Sequence, residues 1–112
     1  MFNLALSESY TWPVELQVAA DGGQWTKLPF EVRFRRLSQE RIDSVAKWVD
    51  AEDFDPNGLI REIVMGWDGI VVDDAPLPFS LSALDRVLNV PGATRAILRA
   101  WRESLREGPR GN

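Results

Sequence analysis

The chain contains no cysteine and no histidine. Without cysteine there is no disulfide framework and no thiolate nucleophile. Without histidine both the commonest metal ligand and the usual general base at neutral pH are missing, and a serine nucleophile lacks its usual activating partner. No glycine-rich phosphate loop of either standard spacing occurs. No apolar run approaches the roughly 18 residues that a membrane span needs. Met1–Tyr10 has no basic segment ahead of its short apolar stretch, so it does not read as a secretory signal. These absences weigh against a hydrolase, a metalloprotein and a membrane protein, and they call for no cofactor.

What is present is ordinary globular material: 112 residues, 45% hydrophobic and 27% charged, with five Trp and five Phe. That length fits a single domain over residues 1–112, with 1–10 and 108–112 expected to fray. The net charge of −4 gives no global reason to bind nucleic acid. Its distribution is uneven. Asp50 to Asp74 holds eight acids and one Arg, whereas Thr94 to Arg110 holds five Arg and two Glu. An acidic middle and a basic tail on one chain suggest possible self-association, head to tail.

Period-two alternation marks two strands. In "TWPVELQV" Trp12, Val14, Leu16 and Val18 alternate with Pro13, Glu15 and Gln17. In "TKLPFEVRFRR" Leu28, Phe30, Val32 and Phe34 alternate with Pro29, Glu31, Arg33 and Arg35. "ADGGQ" between them reads as a hairpin turn. Pro29 cannot donate to a ladder and marks an edge or bulge, and "FNLAL" offers a third strand. Helical spacing follows. Ser38 caps a first helix carrying Ile42, Val45, Ala46 and Val49, with Leu37 and Ile42 as a hydrophobic staple. Asp55-Pro56 opens a second helix, ending at Gly66. "IVV" has the composition of a short strand. Ser80 caps a third helix, and Pro91 is placed in the first turn of a fourth that runs to about Glu107. The expected fold is α+β: an N-terminal antiparallel hairpin or small sheet packed against about four helices.

Three groups of residues invite a functional reading. Asp53, Asp55, Asn57 and Gly58 occupy positions 1, 3, 5 and 6 of a calcium loop, but position 12 is Val64 instead of Glu, so a helix cap is the plainer reading. Asp73 and Asp74 are adjacent; on an extended segment they would point apart and could not share a proton. The last helix carries an apolar row, Leu98, Trp101 and Leu105. Beside it, a quarter to a third of a turn away, lies an Arg row, Arg95, Arg99, Arg102 and Arg106. On spacing alone a solvated face is the plainer reading of the Arg row; the alternative is a docking surface, apolar anchors flanked by Arg, for an acidic protein partner. A nucleic-acid-associated accessory protein using the Arg row is a further alternative.

The motifs "FEVRFRRLSQERID", "GWDGIVVDDAPLPFS", "LNVPG" and "ATRAILRAWRESL", in that order and spacing, resemble the tail assembly chaperones of bacteriophages with long, non-contractile tails. Two departures stand out: no Gly separates Asp74 from "LPFS", and Trp101 replaces an expected Tyr. The resemblance implies a non-catalytic protein of a phage or prophage, in the cytoplasm of the bacterial host and absent from the mature virion. Its implied partners are the tape measure protein, which it keeps soluble, and the tail tube protein, which it helps to recruit; many members of the family it resembles are also made in a longer, frameshifted form. It implies neither a nucleic acid nor a membrane partner. It also implies a structural part for Gly66, Trp67, Asp68, Gly69, Leu77, Pro78, Phe79, Ser80 and Pro91 as the joint between helices: the glycines allow a tight path, and Leu77–Phe79 pin the chain ahead of the cap.

Overall fold

The alternation of apolar and polar residues becomes a long antiparallel hairpin in the computed structural model, which describes residues 1–106. Strand β1 (Ser9–Ala20) and strand β2 (Gln24–Arg35) pair along their whole length, from Ser9 opposite Arg35 to Ala20 opposite Gln24. A single 3-10 turn, Asp21–Gly23, joins them, and Gly22 and Gly23 supply the left-handed backbone it needs, with φ of 74° and 75°. Even-numbered side chains face the core: Val14, Leu16, Val32 and Phe34 are buried. The Arg36 N–H donates to the Glu8 carbonyl at 2.8 Å, so even-numbered pairs of this ladder exchange hydrogen bonds and odd-numbered residues point their N–H groups outward. Both prolines of the hairpin, Pro13 and Pro29, are odd-numbered, and neither breaks the β1–β2 ladder.

Helix α1 (Gln39–Val49) starts where Ser38 Oγ accepts the Arg41 N–H at 3.1 Å, and ends at Asp50, as its spacing predicts. Helix α2 (Pro56–Ile63) is followed without a break by strand β3 (Val64–Asp68), which pairs antiparallel with β2. The sheet order is β1-β2-β3. Two expectations are corrected here. The second helix ends at Ile63, not Gly66. The third strand comes from Val64–Asp68, not from "FNLAL"; Phe2–Leu6 stays outside the sheet. Ile63 and Val64 are both buried, so the apolar spacing continues across the junction and conceals the change from helix to strand. Residues 9 and 10, expected to fray, belong to β1. The Tyr10 hydroxyl lies 2.7 Å from the Ser104 hydroxyl, which itself donates to the Trp101 carbonyl.

Strand β3 covers only Glu31 to Phe34 of β2. Pro29 lies just beyond, on a stretch of the central strand that has a free edge, while the bulge falls at Arg33/Phe34. Strands β4 (Val71–Val72) and β5 (Ala75–Pro76) form a minimal second hairpin, which includes the expected short strand. Its turn is Asp73-Asp74, with φ of 49° and 67°. The pair is therefore not extended but a turn with both central residues left-handed.

Helix α3 (Leu81–Leu88) is capped by Ser80, whose hydroxyl accepts the Ala83 N–H at 3.0 Å. Helix α4 (Ala93–Ser104) begins one residue after Gly92, whose φ of 87° excludes it from the helix. Pro91 thus sits in the turn before the helix, not in its first turn. Leu105 ends the helix; Glu107 and the 108–112 segment lie outside the described residues. Helix α4 packs on β1 and α2 and buries Ala93, Ala96, Ile97, Leu98, Ala100 and Trp101. The three alanines let the helix approach the sheet closely, and Ile97 joins Phe34, Leu59, Ile60, Ile63 and Leu84 among the fully buried side chains. Each such side chain contributes about 1.5–3 kcal/mol by leaving water. Polar ties are few. The Arg41 guanidinium forks onto both Glu62 carboxylate oxygens at 2.7 and 2.8 Å, joining α1 to α2, and Arg61 pairs with Asp85, joining α2 to α3.

Candidate functional site

The joint between β3 and α3 is built as a clasp. Trp67 Nε1 donates to the Leu77 carbonyl at 2.7 Å, and the Trp67 ring meets Phe79 edge-on with centroids 4.9 Å apart. Gly69 has φ of 90° and lies against the backbone of Phe30, where an added Cβ would come 3.5 Å from its Cα; glycine is needed there. Gly66 is different. A Cβ on it would meet only the Arg33 Cβ at 3.9 Å, an ordinary contact, so its tight-path role is not supported. Asp68 pairs across the ladder with Glu31, and its side chain is exposed like that of Pro78.

The calcium-loop pattern resolves into structural contacts. Asp55 precedes α2 without accepting a side-chain cap bond. Asn57 Oδ1 accepts the Thr94 hydroxyl at 2.8 Å, tying α2 to α4. Among the described residues no three potential metal-ligating side chains converge.

The largest departure from the sequence-based picture concerns α4. Leu98 and Trp101 are buried core residues, and only Leu105, 39% exposed, stands free. The Arg row is exposed throughout and forms no ion pair among the described residues, but it does not edge a single surface. Arg99, with Glu103, lines a broad cleft over the sheet whose other walls include Glu15, Glu31 and Asp68. Arg102 lines a second cavity on the opposite flank of α4, whereas Arg95 and Arg106 line neither.

That second cavity is an apolar groove of about 300 Å³ between α1 and α4. Helix α4 contributes Leu98, Trp101, Leu105 and Arg102; Phe54 and Leu59 complete the lining. The facing wall is α1, through Ile42, Val45, Ala46 and Val49. Of these only Val45 is buried, and Ala46 and Val49 are exposed. Phe54 is held by an edge-on contact with Trp48, centroids 5.0 Å apart. Sequence reasoning missed the α1 wall. Its signal was present as the i, i+3, i+4, i+7 spacing of that helix, but spacing reports an apolar face without reporting what covers it.

One buried polar atom beneath the groove is unusual. The Nε1 of Trp101 is buried and has no hydrogen-bond partner, although buried donors are nearly always satisfied. Elsewhere the chemistry is plain. No charged side chain of the described residues is buried. The Glu62 carboxyl is held below its ordinary value mainly by the hydrogen bonds from Arg41, against a smaller opposing effect of desolvation. The groove offers apolar contact and one cation at the rim. Neither a protein family, nor a curated protein, nor a solved structure matches the chain at a significant level.

Proposed function

We propose that the chain is a tail assembly chaperone of a phage or prophage, and that it grips a helical segment of the tape measure protein in the α1–α4 groove. The observation that carries this is the groove itself: two helices of the fold leave apolar side chains uncovered toward each other, with Arg102 at the rim. From Ile42 to Val49 the α1 wall runs about 10 Å, two helical turns. That length matches a partner helix presenting anchors at i, i+3 or i+4, and i+7. In this role the protein works in the cytoplasm of the bacterial host, shields an aggregation-prone client, helps bring tail tube subunits to it, and stays out of the virion without catalysing a reaction.

The test is capture of tape measure fragments by the intact chain and by groove variants. Trp101→Ala is unsuited, because the side chain is part of the core. Val49→Glu and Leu105→Glu alter exposed positions and keep the fold; each is expected to weaken binding at least about tenfold. Undiminished binding by both folded variants would remove the groove from the mechanism, and failure of the wild-type chain to keep the fragment soluble would remove the function. The exposure of all four Arg residues, unpaired among the described residues, favours one second reading, a nucleic-acid-associated accessory protein. It requires a mobility shift that weakens steeply between low and moderate salt.

A further inference from the structure

Three strongly exposed apolar side chains lie together on the N-terminal arm: Phe2, Leu4 and Leu6 are 80%, 83% and 59% exposed. They alternate with Asn3, Ala5 and Ser7, and no charged side chain occurs before Glu8. This is the pattern of a strand with one apolar face, yet among the described residues it has no strand partner.

The fold also carries an unused strand edge. Among the described residues β2 has no strand partner on one side from Gln24 to Phe30, and Gly69 packs against it only at the Phe30 end. The register directs the main-chain groups of the odd-numbered residues Trp25 and Lys27 to that side. Alongside runs an apolar groove of about 340 Å³, walled by Leu16, Leu28, Phe30, Val71, Val87 and Val90 and lined by no charged residue. Each free edge carries a proline, but Pro13 interrupts the β1 edge in mid-strand, beside a cleft lined by Glu15, Arg99 and Glu103, whereas Pro29 interrupts only the end of the β2 edge nearest β3 and leaves Trp25 and Lys27 able to pair. The α1–α4 groove suits an extended segment poorly, since its walls are helices whose backbone groups are already satisfied.

We propose that the arm Phe2–Leu6 of a second copy of this chain adds to the free edge of β2, with its apolar side chains in the adjoining groove. The chain's own arm cannot reach. It leaves the sheet at Ser9, opposite Arg35, whereas the groove begins at Leu16 and Leu28, seven residues along the hairpin, or about 23 Å. Seven extended residues span at most about 25 Å, so Phe2 alone approaches the groove while Leu4 and Leu6 fall short. Arg36 further fixes the root of the arm, its Nε donating to the Ser7 carbonyl at 2.9 Å. Two reciprocal contacts of this kind bury on the order of 1,200 Å², the lower bound for a specific interface. The proposal uses a different face from the α1–α4 groove and stands independently of the client bound there.

Sedimentation equilibrium of the intact chain tests it. Wild-type protein is expected to show a monomer–dimer equilibrium, and Leu4→Asp or Val71→Asp, both at exposed positions, to weaken it at least about tenfold. Because the chain has no cysteine, cross-linking adds a positional readout. A mixture of Leu4→Cys and Leu28→Cys chains should oxidise to a mixed disulfide dimer; a mixture of Leu4→Cys and Val49→Cys chains should not. A monomer at all concentrations, a dimer indifferent to Leu4→Asp, or preferential cross-linking to Val49→Cys would each overturn the proposal.

Discussion

Replacing Trp101 by Phe and by Ala separates what its ring contributes from what its N–H contributes. The side chain is 4% exposed and its Nε1 has no partner. Trp101→Ala deletes the ring from the core, and such truncations cost about 3–5 kcal/mol, a large share of the roughly 5–15 kcal/mol that holds a domain together. The ring also lines the open α1–α4 groove, so water can enter part of the void, and the lower end of that range is expected. Trp101→Phe has two opposed effects. It removes apolar volume worth about 2 kcal/mol on the scale of buried methylenes. It also removes a buried donor whose missing bond costs about 1–3 kcal/mol. The net change should fall within about 1 kcal/mol of zero. Urea unfolding followed by circular dichroism reads the difference: with a slope of about 1–3 kcal/mol per molar, the Ala midpoint falls by about 1 M or more and the Phe midpoint by far less. Equal, large losses in both variants would refute the reasoning, because the N–H would then be forming a bond that contributes to stability.

Glu62 should make stability depend on pH in a defined direction. Its carboxyl is lowered in the folded chain from an ordinary value of 4.5; its contribution is therefore complete above that value and is lost as pH falls below it. The stability gap between wild type and Glu62→Gln is expected to be small, because the pair is solvent-accessible, and to be larger at pH 7 than at pH 3. An unchanged gap in urea midpoints at the two pH values would exclude the ion pair as its source. At the second hairpin, the double change Asp73→Asn and Asp74→Gly supplies the residues that a turn with two left-handed positions prefers. It should leave the melting temperature equal or raise it, by up to about 1 kcal/mol of relieved strain. A clear loss would show that the two carboxylates hold something besides the turn.

Much of the architecture was legible because its signals are local. The alternation in Thr11–Val18 and Thr26–Arg35, the glycines at the hairpin turn and the hydroxyl caps Ser38 and Ser80 each act through neighbours in the chain, and each stands where its pattern put it. Trp67 and Phe79 meet edge-on in the segment between β3 and α3. Errors gathered where two local patterns agree. Ile60, Ile63 and Val64 satisfy helical spacing, and the following residues also make a strand; only the open side of β2 pulled Val64–Asp68 out of the helix. "FNLAL" has a strand's alternation but no edge within reach, so the same chemistry produced an exposed arm.

The amino-acid sequence by itself determined the α+β class, the two hairpin strands with their turn, and the starts of the first three helices, because turn residues, caps and period act over a few residues. It also determined that α1 and α4 each have an apolar face. Only the tertiary structure decided how much of each face is covered: Leu98 and Trp101 went into the core, while Ala46, Val49 and Leu105 stayed uncovered along a groove. Periodicity states which side chains share a face, but burial depends on how closely another element approaches. That distance is set by the packing of the sheet, the small alanines of α4 and the clasp at Trp67, none of which one helix records.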